Sequence, residues 1–452
     1  MKMDAMVRSQ SVPLPEEILK RKWTGDLEGA VRAIDARLAC NLPQMLRDRL
    51  MCEKERIRRL PTQYPWNRTQ AMAKLRELAG DVTDEQFDSL EDAGGVDFIY
   101  LHGEKRYFVR FHRSLMKLPQ FAGRHPENAW LDPMIDTIRR EGRLARRITI
   151  ESSLTLVPQA FQPGEYLAQL PFPMESDQQR QTELLTGDPD GVASADAPAR
   201  AAWWRRHLTQ WQDFRMSYRY VSEIRYADPL HVPAPAQALY PAAAPVSPDD
   251  LAEEAPFLRF TPYLRALAAH VTEAETEPVR KAWKIYEFVT TRVQYSFVRD
   301  YFQIDDLGEF CAVNLRGDCG LQALLFILLC RISSIPARWQ SGLSMDTDYV
   351  GCHDWAQFYL DGWGWLFADP SYGGSAWRNG ATKRHEFYFG NIEPMRMAAN
   401  RRFEAALPRE MDKLRVDPYD NQAGELERIG EGEAFTGREL DNDLKMIACE
   451  DL

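Results

Sequence analysis

The sequence predicts an α+β fold with several regions, and three observations support this prediction. Helical periodicity dominates the first part of the chain, alternating strand patterns follow it, and an apolar helix precedes a β-hairpin in the last third. With 452 residues, the chain is long enough for about three domains. Hydrophobic residues make up 44% and charged residues 27%, as is typical of a folded globular protein.

The first region, residues 1–135, is predicted to be helical and to contain one β-hairpin. Apolar residues recur at the spacing of a single helix face between residues 27 and 38. Two β-rich runs, 96–101 and 105–111, flank a short glycine-containing turn, which predicts the hairpin. The region shows no catalytic motif, so we expect it to have a structural or partner-binding role.

A β-rich, sandwich-like domain is predicted at residues 140–231. Its clearest strand candidates are 147–157 and 216–226, which are rich in β-branched and aromatic residues. A Pro- and Ala-rich stretch at 232–256 is typical of a semi-rigid linker and marks the clearest domain boundary. The remaining core is predicted at residues 257–400.

The C-terminal residues 401–452 are expected to form an acidic, poorly packed and solvated tail. From Arg409 onward there are 13 Asp and Glu residues against 6 Lys and Arg, within a chain whose net charge is −11. An acidic balance argues against nucleic-acid binding and against docking to an anionic membrane, both of which need a basic surface. We therefore expect neither nucleic acid nor membrane as a partner.

Targeting signals and cysteine usage predict a cytoplasmic protein. The N-terminus lacks the apolar stretch of a secretory signal, and the longest apolar run, 323–330, is too short to span a bilayer. The seven cysteines are an odd number at irregular spacing, which argues against a disulfide framework. The oligomeric state stays open.

The cysteine with the most informative context is Cys319. Gly317 interrupts the preceding structure, and Asp318 is suited to cap the helix that starts at Cys319 and is apolar on nearly every face. A helix N-terminus favours a thiolate, whereas the neighbouring Asp318 opposes it slightly, so a nearby cation would decide the outcome. Cys330, on the same helix, is expected to be a buried apolar residue.

A β-hairpin follows this helix, with a turn near residue 361. A turn at that point places His353 directly opposite Asp369 on the same face, close enough for the carboxylate to orient the imidazole. The period of two also puts Trp355 on the face of His353 and sends Cys352 and Asp354 to the other face. Cys352 is therefore a poor nucleophile despite its position beside His353.

Four segments of the sequence together resemble a known family of enzymes. They are Gly317-Asp318-Cys319, Ile335-Pro336-Ala337-Arg338, His353-Asp354-Trp355-Ala356 and Asp369-Pro370-Ser371. In this order they resemble the transglutaminase-like superfamily of cysteine enzymes, of bacterial type. The resemblance spans residues 277–390. It implies a papain-like core, in which a cysteine at a helix start packs against an antiparallel sheet.

The resemblance also implies site residues and a reaction. Cys319 would be the nucleophile, His353 the general base and acid, and Asp369 the orienting group of an acyl transfer from a peptide or protein amide. Asn314 is predicted as a side-chain donor to the oxyanion, beside the Cys319 backbone N–H. Trp355 is predicted to line an aromatic groove for the substrate chain. No cofactor and no metal are implied.

Other interpretations stay open at this point. Hydrolysis is favoured because no dedicated calcium loop is present, but amine cross-linking and glutamine deamidation are alternatives. A second class of function is a non-catalytic interaction module built on the same fold. A third hypothesis, a zinc site formed by Cys311, Cys319, Cys352 and His353, lacks the paired spacing of known zinc sites.

Overall fold

The computed structural model of the protein describes residues 3–118, 121, 130–240, 243–430 and 432–452. It has the predicted α+β fold, with helices and antiparallel sheets in separate regions. The helices are α1 (Met3–Arg8), α2 (Glu16–Trp23), α3 (Leu27–Leu38), α4 (Gln44–Gln63), α5 (Arg68–Ala79), α6 (Asp84–Asp92), α7 (Phe111–Leu115), α8 (Leu131–Glu141), α9 (Pro262–Thr272), α10 (Pro278–Arg292), α11 (Leu307–Asn314), α12 (Cys319–Ile332), α13 (Pro370–Arg378) and α14 (Thr382–Phe387).

The strands of the described part of the chain form three larger sheets and two short pairs. Within the described residues, no helix combines the length and the apolar character that crossing a bilayer requires. The strands are β1 (Phe98–Leu101), β2 (Glu104–Tyr107), β3 (Arg143–Leu156), β4 (Gly164–Pro171), β5 (Gln179–Thr186), β6 (Gly191–Val192), β7 (Ala201–Leu208), β8 (Phe214–Arg225), β9 (Gln294–Tyr295), β10 (Arg316–Gly317), β11 (Ala337–Met345), β12 (Val350–Leu360), β13 (Gly364–Ala368), β14 (Phe389–Gly390), β15 (Arg396–Asn400), β16 (Glu425–Arg428) and β17 (Leu440–Asp451).

The N-terminal region contains the expected helices and hairpin. Asp26 caps α3 because its carboxylate accepts a hydrogen bond from the Gly29 backbone N–H, which otherwise has no partner within the helix. Strands β1 and β2 pair antiparallel, as the sequence predicts. Part of the predicted region, residues 119–120 and 122–129, lies outside the described residues.

The β-rich part is built from two four-stranded sheets, in the orders β16-β4-β7-β6 and β17-β3-β8-β5. The two predicted strands become β3 and β8, which pair along twelve residues. Alternate side chains of these strands are buried in one apolar cluster, as expected for strands that each cover a core with one face.

The expectation of a poorly packed C-terminal tail is wrong. Strand β17 pairs antiparallel with β3 from Leu440 to Asp451, and β16 pairs with β4, so the chain end adds one strand to each sheet. Leu440, Leu444 and Met446 alternate with charged residues and pack against the sandwich core. The acidic net charge of the segment predicts a solvated tail, but its period-2 alternation of apolar and charged residues is the stronger signal and predicts a strand.

The core consists of α12 packed on a five-stranded sheet, in the order β14-β13-β12-β11-β15. Every residue of α12 from Gly320 to Arg331 is buried, as the apolar sequence of this helix predicts. Cys330 is fully buried there, which confirms its structural interpretation. The sheet and helix together position the residues discussed below.

The register of the core hairpin differs from the prediction by two residues. Leu360 pairs with Gly364 and Ala356 with Ala368, so His353 has no partner directly opposite it in β13. Asp369 follows the end of β13 and caps α13 instead of standing in the strand. The turn centres on residue 362 and not on 361, and Gly362 and Gly364 both adopt positive φ angles there.

The predicted linker, residues 232–256, packs across this hairpin. The backbone N–H of Leu239 donates to the Trp363 carbonyl, and the Trp365 indole N–H donates to the Ala244 carbonyl. The Tyr240 ring contacts Phe367 edge-on. Residues 241–242 of this stretch lie outside the described residues.

Candidate active site

Cys319 is the first residue of α12, where the sequence predicts it. Asp318 caps the helix by accepting from the Leu321 backbone N–H at 3.2 Å, and it also accepts from the Tyr301 hydroxyl at 2.5 Å. Gly320 makes this approach possible, because a Cβ atom at this position would lie 2.1 Å from the same hydroxyl. Any residue larger than glycine at position 320 would therefore clash with Tyr301.

The Cys319 thiol contacts a carboxylate. Its Sγ donates to Oδ2 of Asp354 at 3.3 Å, and Asp354 is 4% exposed. Burial, together with the charges of Asp354 and Asp318, raises the pKa of this thiol well above its usual range. A cation beside the thiol would favour the thiolate, but the structure places a second acid there, Asp354 in addition to Asp318.

His353 and Asp369 are in contact, as predicted, although by a different route. His353 Nε2 lies 2.7 Å from Asp369 Oδ2, and Asp369 is fully buried. Asp369 is held in place because its other oxygen accepts from the Tyr372 backbone N–H and the Ser371 hydroxyl. The carboxylate is thus fixed by the start of α13, and it leaves His353 Nδ1 as the nitrogen for chemistry.

A buried arginine completes this side of the site. Arg396 on β15 forms an ion pair with Asp369 at 2.7 Å and a two-pronged pair with Glu393. Its guanidinium and the His353 ring hold the pKa of the Asp369 carboxyl well below its usual range, against the effect of burial. Arg396 was not predicted as a site residue, because only the pairing of β15 with β11 brings it to Asp369.

The C-terminal part of the chain reaches the thiol side. We call residues 417–422 the C-terminal loop. The Gln422 side-chain amide donates to Asp354 Oδ1 at 2.5 Å, so one carboxylate is held by Gln422 and Cys319 together. Asp420 is buried and accepts from the Ser341 hydroxyl and, at 3.1 Å, from the Asn400 amide. The sequence analysis assigned these residues to a tail and gave them no role.

Two predicted site residues, Asn314 and Trp355, are placed differently from the prediction. Asn314 is exposed at the end of α11, and its amide donates to the Phe310 carbonyl at 2.8 Å, so its donor is already engaged within its own helix. Trp355 is fully buried, with its indole N–H donating to Gln340 at 2.7 Å. Its ring lies beside that of His353, at 6.2 Å between centroids, and supports the imidazole instead of lining a groove.

The zinc hypothesis finds no matching geometry. Cys311 is buried in the middle of α11, whereas Cys352 is exposed on β12. In the described residues, no group of three or more His, Cys, Asp or Glu side chains is arranged to hold a metal ion. Chemically, the site offers the Cys319 thiol at a helix start and the His353 imidazole, which the buried Asp369 carboxylate orients. His353 is the neighbour on β12 of Asp354, the acid that the thiol contacts.

Residues 265–370 match the family model of the transglutaminase-like superfamily. Among solved structures, a candidate cysteine protease from Cytophaga hutchinsonii is 13% identical, with a TM-score of 0.43 over 69% of this chain and 91% of that one. The periplasmic domain of TgpA from Pseudomonas aeruginosa is 15% identical, with a TM-score of 0.29 over 56% of this chain and 96% of that one. No curated protein matches the chain.

Proposed function

Because residues 265–370 form a transglutaminase-like core, we propose that the protein is a cysteine-dependent enzyme that transfers the acyl group of a peptide or protein amide. Cys319 is the nucleophile, His353 the general base and acid, and Asp369 the residue that orients His353. The observation that carries this proposal is the 2.7 Å contact of His353 Nε2 with the buried Asp369. Thiol catalysis requires a base with a fixed orienting group, and His353 with Asp369 supplies both.

The proposed reaction has two steps. His353 Nδ1 takes the thiol proton as Cys319 Sγ attacks the amide carbonyl, and the same proton then passes to the leaving amine, which leaves a thioester on Cys319. In the second step, water attacks the thioester and loses a proton to His353. The C–S bond then breaks, the acid is released, and His353 returns the proton to Cys319 Sγ, which restores the thiol. The backbone N–H of Cys319 stabilises the oxyanion, since it lies at the start of α12.

Hydrolysis is the outcome we favour for the thioester. An amine in place of water gives a cross-link, and attack on a glutamine side chain followed by water gives deamidation. The three outcomes share the residues and differ only in the substrate that reaches them. We include a cytoplasmic location and a place among bacterial members of the superfamily in this proposal. The seven free cysteines support the reducing compartment.

A peptide library from a tryptic digest of whole-cell lysate, incubated with the full chain and a primary-amine label, tests the proposal. Mass spectrometry reports new cleavages, deamidated glutamines or labelled glutamines, which identify hydrolysis, deamidation and cross-linking respectively. We expect new cleavages, complete loss of them in Cys319→Ala, and a loss of about 10²- to 10⁴-fold in His353→Ala.

Cys330→Ala is the matched control, because Cys330 lies buried on the same helix with no catalytic partner. It is expected to keep the wild-type activity. Turnover that survives in Cys319→Ala, or a wild-type chain that yields none of the three products, would overturn the proposal.

A further inference from the structure

The environment of the Cys319 thiol is not that of an activated nucleophile. Its hydrogen bond runs to Asp354 at 3.3 Å, while His353 is bonded through Nε2 to Asp369. Asp354 is therefore the group that accepts the thiol proton as a hydrogen bond in this structure. The proposed mechanism has no role for Asp354, although it is buried and contacts the reacting atom.

The carboxyl of Asp354 is held by the C-terminal loop. Gln422 donates to the oxygen that Cys319 does not use, and Asp420 is fixed in the same cluster by Ser341 and Asn400. Tyr419, one residue before Asp420, stacks on Phe403 at 5.5 Å between ring centroids and so anchors the loop. The part of the chain that follows the core thus reaches back to the catalytic thiol.

We propose that Asp354 is a positioning residue that keeps Cys319 in the protonated thiol form, and that the C-terminal loop sets this effect through Gln422. The inference rests on the proposed role of Cys319 and adds the control of its protonation. A carboxylate next to Sγ disfavours a second negative charge, so the thiol proton leaves only when His353 accepts it in the presence of substrate.

The charges around this pair are mostly of one sign. Asp318 acts from the start of α12, and Asp420 acts from the C-terminal loop. Asp417, in the same loop, acts on the neighbouring Cys352. His353 lies next to Asp354 on β12, and Arg110, beside the start of α7, lowers the pKa of Asp318. The other titratable groups close to the pair are Tyr295, Tyr301, Tyr349 and Cys352.

Burial and the neighbouring acids also raise the pKa of Asp354 well above its usual range. Cys319 and Asp354 therefore titrate as a coupled pair, whose last proton leaves at high pH. Replacing Asp354 by Asn keeps an oxygen acceptor for the thiol but removes the charge. Thiolate formation should then need a lower pH than in the wild type.

The rate of Cys319 alkylation by iodoacetamide, followed by peptide mass spectrometry between pH 5 and 10, tests the proposal on the full chain. Only the thiolate reacts, so the pH midpoint of the rate reports its formation. We expect the midpoint to fall by about 1 to 3 pH units in Asp354→Asn. A purely structural role for Asp354 would change the unfolding temperature without moving this midpoint.

Gln422→Ala is a second variant that leaves Asp354 itself intact. Loss of its amide removes a donor that stabilises the charged carboxyl, so Asp354 stays neutral to higher pH and the midpoint falls by about 0.5 to 1 pH unit. Gln169→Ala is the matched control. Gln169 is also buried and also holds the C-terminal part of the chain, through the backbone of Arg409, but it lies on β4 of the sandwich.

An unchanged midpoint in Asp354→Asn overturns the positioning role. Equal shifts in Gln422→Ala and Gln169→Ala overturn the specific link to the C-terminal loop, because any loosening of the C-terminal chain would then suffice. Alkylation needs no substrate, so these outcomes are independent of the peptide-library assay. A failure of the acyl-transfer proposal would appear in that assay and leave the midpoints unaffected.

Discussion

The two sides of the site differ in burial and carry opposite electrostatics, since His353 and Asp369 are buried and Cys319 is partly exposed. On the His353 side, Asp369 lies between an imidazole and the Arg396 guanidinium, and its carboxyl pKa is lowered. On the Cys319 side, burial outweighs the effect of Arg110 and raises the pKa of Asp318 to about 6. In the C-terminal loop, burial and the charge of Asp420 outweigh Arg415 and raise the pKa of Asp417 to about 7. Burial alone favours the neutral carboxyl, and a cation in contact reverses the sign.

This difference separates the tasks of the two sides. On the His353 side, charged groups are joined by ion pairs, which fix the imidazole in one orientation. On the Cys319 side, the pKa values of the thiol and of its neighbouring carboxyls are raised, which suits a thiol that reacts only when a substrate is bound. The difference also predicts that the two sides respond in opposite ways to loss of a charge.

The largest effect should follow from removing Arg396. Arg396→Met removes the ion-pair partner of the buried Glu393 and, among the described residues, leaves the buried Asp369 with His353 as its remaining ion-pair partner. Removing one partner of a buried ion pair costs about 3 to 5 kcal/mol, because the remaining charge has no solvent. We expect the free energy of unfolding in urea at pH 7 to fall by this amount.

Arg215→Met is the control for that experiment. Arg215 pairs with Asp213 at 2.8 Å on the surface, with 59% of its side chain exposed. Exposed pairs contribute about 0 to 1 kcal/mol, since water screens them. Similar losses in Arg396→Met and Arg215→Met would show that the His353 side does not depend on its buried cation.

The next effect is a pH dependence on the Cys319 side. The pKa of Asp318 in the folded state, about 6, lies above the usual value of 3.8 for an aspartate. Its contribution to stability is therefore complete below pH 4 and is lost as the pH rises through 6. Asp318→Asn keeps a good helix cap and removes the titration. Between pH 4.5 and 7, its free energy of unfolding should fall by about 2 kcal/mol less than that of the wild type.

Asp26→Asn provides the matched cap at the start of α3. The Gly29 N–H and Arg21 lower the pKa of Asp26, so its stabilising effect is present above the unfolded pKa and lost toward acid. The two variants should change the pH slope of stability in opposite directions. A slope unchanged by Asp318→Asn would mean that this carboxyl is solvated, and the contrast between the two sides would not hold.

Local signals account for the part of the site that the sequence predicts. The capped helix start at Cys319 depends only on residues that are neighbours in the sequence. His353 and Asp369 are joined by a short hairpin, so their contact could be expected even though the predicted register is two residues off. Arg396 and Gln422 could not be expected in this way. Each arrives through the packing of a distant segment, and neither carries a motif of its own.

The fold shows the same limit: local periodicity can be predicted from the sequence, but the pairing of distant segments cannot. Helices and strands with clear periodicity, such as α3 and β8, were predicted close to their observed bounds. Strand β17 was missed because its alternating apolar residues lie among acids. A strand of this kind is stabilised by its pairing with β3, and the composition of the segment does not reveal a partner so distant in the chain.

The smallest effect should come from Ser341, which links the core sheet to the C-terminal loop. Ser341→Ala removes one donor to Asp420, which keeps the Asn400 amide at 3.1 Å and the Asn421 backbone N–H at 2.7 Å. Because the acid stays bonded, the free energy of unfolding in urea should fall by only about 1 kcal/mol. Ser217→Ala, at an exposed pair with Thr186 on the sandwich, should change it by about 0.5 kcal/mol or less. A loss in Ser341→Ala as large as that in Arg396→Met would mean that Asp420 is a charged anchor like Asp369, and both sides would then depend on ion-pair-like contacts.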